Sequence, residues 1–163
     1  MSKCLMRTAN EIRRRLPETG RRPTSSVPFQ LTTIEFVQKL YDSLNDNGVV
    51  AVNLVGSIAG SNGQFIRASY GTYAELFPQV LLFPVAEAKK ADEVQNILLI
   101  ASKATASIPQ RSSNPETNKH LQNRWMGEIT KDMPVLTDQY APIDHSMVDV
   151  VKTVQRRRVA TLQ

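Results

Sequence analysis

The run VVAVNLV at residues 49–55 constrains this chain more than any other stretch. It holds one polar side chain, Asn53, no charge and no proline, and glycines stand on both sides of it. A short, β-branched, almost unbroken apolar run of this kind reads as a strand covered on both faces. That is the habit of a parallel sheet in an α/β domain. The residues before it read as a helix. Phe36, Val37, Leu40, Tyr41 and Leu44 recur at three and four residues and give one apolar face. Thr32 and Glu35 have the spacing of a capping box, which would satisfy free amide donors at the helix start. Asn45-Asp46-Asn47-Gly48 stops the helix, and Gly48 suits the left-handed position past its end.

The chain continues in the same alternating style. Residues 64–77 place Phe65, Ile66, Tyr70, Tyr73, Leu76 and Phe77 at helical spacing, and an aromatic stripe of this kind is expected to be core. Pro78 ends that helix. Residues 80–85 form a second strand, in which Pro84 marks a sheet edge or a strand end because it has no N–H for a ladder. Residues 95–102 form a third strand, apolar enough to be central. The charged connector at 86–93 is too short for a crossover helix, so the last two strands are expected to run antiparallel. Residues 104–133 are polar and weakly periodic. Within them Ser112 to Glu116 can start a short helix, with Leu121, Trp125 and Met126 packing down. In residues 134–142 Asp138 can bond its own backbone in a turn, and Pro142 can open a last helix. That helix carries Ile143, Met147, Val150, Val151 and Val154 on one face, and Arg156, Arg157 and Arg158 complement the dipole at its end.

At 163 residues the chain suits one domain with a real core. No apolar run reaches the roughly 18 residues that span a membrane, and the first residues hold no secretory core. The single cysteine, Cys4, leaves no internal disulfide framework. A cytoplasmic protein without membrane partners is expected. The formal net charge is +5, and all of it lies in residues 1–22, where seven basic side chains stand against two acidic ones. A basic arm can contact phosphates without sequence preference, and an Arg-rich, acid-poor start also resembles a transit peptide. The expected reading is a solvated, disordered leader over residues 1–26, with the α/β domain over 27–163 and no nucleic-acid partner.

Several chemistries fail on spacing. The glycines of residues 56–63 match neither dinucleotide nor phosphate-loop patterns and no lysine follows, so a flexible surface loop is expected. Its place beyond the carboxyl end of a strand is nevertheless where open α/β sheets bind ligands. His120 and His145 are the only histidines, and neither has a cysteine or second histidine near it in sequence. No metal site is expected, no acid–base partner for either can be named, and no catalytic residue is assigned.

The segments SVPFQLTT, NDNGVVAVNLVGS, FIRASYGTYAELFPQV, QNILLIASK and VLTDQYAP resemble the second half of spermidine-synthase-like proteins, over roughly residues 27–143. The resemblance implies a fold: the C-terminal part of a class I methyltransferase-like, Rossmann-type α/β sheet, strand-helix-strand-strand, with flanking helices. Such sheets finish by inserting the final strand beside the first of these three. It also implies that the loop with Asp138 and Tyr140 borders a substrate pocket, together with Gln30 and Thr33. The local residues alone equally fit a plain helix-entry turn. S-adenosylmethionine or its decarboxylated form is the implied cofactor. The Gly-rich strand-turn-helix that binds it, and the family's catalytic aspartate, have no counterpart in these residues. Arg21 to Ser26 stand where the family clusters acids, and Gln30 stands where relatives often place a histidine. None of the cofactor is expected to be held by this chain alone.

Two expectations follow. The first is an aminopropyltransferase-like or methyltransferase-like half, completed by a second chain that supplies the cofactor-binding half. The second is a non-catalytic remnant or interaction module. Either way residues 49–55 would present an unpaired strand edge, which recruits another strand and leads to self-association.

Overall fold

A computed structural model describes residues 31–86, 90–105, 111–140 and 150. The apolar face read from residues 34–44 becomes helix α1, Ile34–Ser43, with Val37 buried. Strand β1 is Val49–Gly56, and a 3-10 turn at Ser61–Gly63 leads into helix α2, Gln64–Ala74. Strands β2, Gln79–Pro84, and β3, Gln95–Ser102, follow. A short helix α3, Pro115–Leu121, begins where Asn114 accepts from the amides of Glu116 and Thr117, a side-chain cap with proline at the first helical position. The expected last helix lies outside the described residues, apart from the buried, helical Val150. The boundary at residue 26 also lies outside them.

The sheet has the order β1-β3-β2 and both pairings are antiparallel. The final strand is therefore inserted beside the first, as the resemblance implied, and it is central. The carbonyl of Leu82 accepts from the amide of Trp125 at 2.8 Å, outside the sheet. In an antiparallel ladder both main-chain groups of a residue point to the same side. Val80, Leu82 and Pro84 thus face away from β3, and the amide that Pro84 lacks costs no ladder bond. The same parity turns the main chain of Val49, Ala51, Asn53 and Val55 away from β3, and no described residue pairs with that edge.

Three expectations need correction. The strand at 49–55 is not covered on both faces and has no parallel neighbour among the described residues. Its burial alternates: Val50, Val52 and Leu54 are core while Asn53 is exposed. An antiparallel partner and one helical layer are enough to shelter an apolar run this long on one face. Gly48 is not left-handed, since Gly60 is the only described residue with a positive φ. Glycine is needed at 48 because a Cβ there would lie 2.6 Å from Leu44 Cβ. The capping box does not form either. Thr33, not Thr32, is the N-cap of α1 and makes no side-chain cap, so Glu35 falls one position early.

One core joins β1, β2 and β3 to α2. Val50, Val52, Leu54, Leu82, Ile97 and Leu99 meet Phe65, Ile66 and Tyr73 there. The aromatic stripe of α2 is core as expected, and Tyr73 is fully buried; burial pushes its phenol well above the usual range, so it stays neutral. At the other end of the sheet Lys103 ties the layers together. Its ammonium lies 4.4 Å above the Tyr41 ring and donates to the carbonyls of Tyr41 and Leu44. A cation at the C-terminal end of α1 offsets the partial negative charge there.

Candidate functional site

The polar stretch without periodicity turns out to be a strap, residues 124–140, fastened to the body at four places. The Trp125 amide bonds the Leu82 carbonyl at the edge of β2. Asp132 takes both Nε and Nη2 of Arg67 on α2, at 2.6 and 2.9 Å. The Leu136 amide donates to the buried Thr72 hydroxyl, also on α2, at 2.9 Å. Finally, residues 136–138 meet the start of α1. The Ile34 amide donates to the Leu136 carbonyl at 2.8 Å, Thr33 Oγ1 donates to Asp138 Oδ1 at 2.7 Å, and the Asp138 amide donates to Glu35 Oε2 at 3.0 Å. The strap thus contributes to satisfying a helix terminus whose own side chains do not cap it.

Two of the sequence-predicted site residues, Thr33 and Asp138, are brought into direct contact although they lie far apart in sequence. Tyr140 stands exposed two residues beyond Asp138, and Gln30 lies outside the described residues. The expected turn at Asp138 forms differently. The Thr137 hydroxyl, not the Asp138 carboxylate, accepts the Tyr140 amide at 2.9 Å, because Asp138 is engaged by Thr33. Trp125 packs against the core, but Met126 is exposed, contrary to expectation. His120 lies exposed on α3, His145 is outside the described residues, and no group of potential metal ligands occurs among the described residues.

Sequence reasoning missed Arg67. Its side chain is 8% exposed, and it grips the glycine loop as well as Asp132. Nη1 donates to the carbonyls of Ile58 and Gly60 at 3.1 and 3.0 Å. The signal was an arginine between Ile66 and Ala68 on an otherwise apolar helix face, a position that demands partners for a buried guanidinium. The loop at 56–63 is therefore not a free surface loop: Ser57, Ile58 and Gly63 are buried. Nor does it fit S-adenosylmethionine. The space beside Gly63 is filled by the Arg67 guanidinium, 2.5 Å from where a Cβ would stand, and the turn leaves no room for a ligand group at that point. No acidic side chain follows β1 to bind ribose hydroxyls.

Arg67 holds the Asp132 carboxyl below its ordinary value of 3.8, first through the hydrogen bond and then through its charge. A carboxyl lowered on folding stabilises the fold above its unfolded value, and that contribution disappears as pH falls through the folded value. Thermal melts followed by circular dichroism should show Asp132→Asn losing stability at pH about 7. As pH falls from 3.8 through the lowered folded value it should converge on the unsubstituted chain. Parallel pH profiles for the two proteins would show that the pair contributes nothing.

The arrangement is a methyltransferase-like α/β fold. A solved structure it resembles is a probable spermidine synthase from Corynebacterium glutamicum ATCC 13032, with 16% sequence identity and a TM-score of 0.52. The match covers 73% of this chain and 45% of that one, so this chain spans less than half of the structure it matches. At that identity the likeness concerns the fold. No protein-family model matches the sequence, and no curated protein does. No helix among the described residues is long and apolar enough to cross a membrane.

Proposed function

We propose that this chain acts as the C-terminal sub-sheet of a spermidine-synthase-like transferase, which moves an aminopropyl group from decarboxylated S-adenosylmethionine to a polyamine. The observation that carries the proposal is the outer edge of β1. Val49, Ala51, Asn53 and Val55 direct main-chain groups out of the sheet that no described residue pairs, with no charge or proline to blunt them. A second chain bearing the nucleoside-binding strands completes the sheet along this edge. In this proposal Asp138, bonded to Thr33 at the start of α1, and the exposed Tyr140 two residues beyond it form the acceptor side, with Gln30 upstream of them in sequence. There the exposed carboxylate attracts a cationic amine. A copy of the same chain can occupy the edge when no such partner is present, which is the non-catalytic interaction reading.

Size-exclusion chromatography with light scattering tests this directly. The unsubstituted chain should associate at high micromolar concentration. Asn53→Pro should be monomeric with an unchanged circular dichroism spectrum, because the amide it removes faces outward and not toward β3. Methylthioadenosine should leave the melting temperature of the isolated chain unchanged. A monomeric unsubstituted chain would remove the role of the edge. A methylthioadenosine-induced rise in Tm would place a complete nucleoside site in this chain and overturn the division between two chains.

A further inference from the structure

Beneath the strap, between residues 124–131 and the outer edge of β2, an open cleft of about 790 Å³ lies on the far side of the sheet from the β1 edge. That volume falls within the range of small-molecule sites. Its walls are Val80 and Leu82 from β2, Tyr70 from α2, and Trp125 and Ile129 from the strap. These surfaces suit an apolar body. The charges at the cleft are Arg124, Glu128 and Lys131. None of the three is paired: the ion pair among the described residues is Arg67 with Asp132. Two of the lining residues each carry a buried side-chain nitrogen without a hydrogen-bond partner, Arg124 Nε and Trp125 Nε1. Both are donors, and buried donors left unmet are costly. The cleft thus combines apolar side chains in part of a largely polar lining with an excess of positive charge, Arg124 and Lys131 against Glu128, and with residues that carry unmet donors.

We propose that this cleft binds a small organic anion, a carboxylate carried on an apolar or aromatic body. The body lies against Tyr70, Val80 and Trp125, and the carboxylate is met by Arg124 and Lys131. Bidentate contact with a planar carboxylate is what a guanidinium provides best. The ligand has the opposite charge to a polyamine, and the site is independent of the β1 edge and of Asp138. Occupancy would also fix the strap between its attachments at Leu82 and at Arg67.

The chain supplies its own reporter, because Trp125 is its only tryptophan. In a titration of the full chain, 3-phenylpropionate should change the tryptophan emission saturably, with a Kd of about 0.1–1 mM as expected for a ligand of this size. 3-Phenylpropylamine, of the same shape and opposite charge, should give no saturable change. Arg124→Gln should weaken phenylpropionate binding about tenfold, the loss of one charge-assisted contact. Lys131→Gln, at an exposed position, should weaken it several-fold and serves as the deciding variant if Arg124→Gln does not fold. Equal responses to acid and amine, no saturable response to the acid, or unchanged affinity in folded variants would each overturn the proposal. An emission change that follows protein concentration without ligand would assign the cleft to a second copy of the chain, and would overturn it as well.

Discussion

The Val52→Lys variant is expected to be unfolded at room temperature, whereas Asn53→Lys folds as the unsubstituted chain does. The two positions are neighbours on β1, and the pleat sends their side chains to opposite faces. Val52 is 6% exposed and sits opposite Leu99 in the core, while Asn53 is exposed. Lysine at the buried position forfeits roughly 1.5–3 kcal/mol of apolar burial. It also takes an unpaired ammonium out of water, at a further cost of several kcal/mol. Against a typical domain stability of about 5–15 kcal/mol the sum is decisive. Circular dichroism melts would report it as the absence of a cooperative transition for Val52→Lys alone. A cooperative melt within a few degrees of the unsubstituted chain would mean that the alternation along β1 has been misassigned. The pair also separates core from edge, since a charge at Asn53 should suppress association without touching the fold.

Gly63→Ala carries the second large effect. A Cβ at this buried position would lie 2.5 Å from Arg67 Nη1 and 2.7 Å from the Ile58 carbonyl oxygen. The guanidinium cannot retreat freely, because Asp132 and the carbonyls of Ile58 and Gly60 already hold its nitrogens. Either the loop after β1 shifts or the clamp on the strap loosens, and overpacking of this kind costs about 1–3 kcal/mol. For a domain of this size Tm should fall by about 3–10 °C. Gly71→Ala is the matched control. Nothing lies within 4 Å of its would-be Cβ, and removing a mid-helix glycine should stabilise α2 by roughly 0.5–1 kcal/mol. If both substitutions shift Tm in the same direction, the close packing around Arg67 is not what requires glycine at 63.

The parts of this fold legible in the sequence were those fixed by local periodicity. The helix at Phe36 to Leu44, the aromatic stripe of α2, and β3 with its antiparallel neighbour all follow from spacing and connector length. What could not be read was the pairing of polar groups distant in sequence. Thr32 and Glu35 have the spacing of a cap, but Glu35 serves the Asp138 amide, and the helix start is met by the Leu136 carbonyl from the strap. Arg67 and Asp132 are each unremarkable alone, and only the fold brings them to 2.6 Å. The candidate site was legible to the same degree. Asp138 was marked by its motif, yet its bond to Thr33 depends on the whole path of residues 124–140, which has no periodicity to read. The reading of β1 as doubly covered failed for a related reason. An apolar run reports that a strand is buried, but not how many sides are.

The proline at the end of β2 has a bearing on stoichiometry. On that side of the sheet Pro84 offers no outward amide, and the Leu82 carbonyl is already taken by Trp125. Among the described residues, then, only the β1 edge is free of such an obstruction, and strand addition of the proposed kind would give the sheet a single growing end. Two copies meeting at β1 close on each other, and a different partner meeting it leaves no second acceptor behind. Assembly of the proposed kind would terminate at one encounter instead of propagating into a fibre.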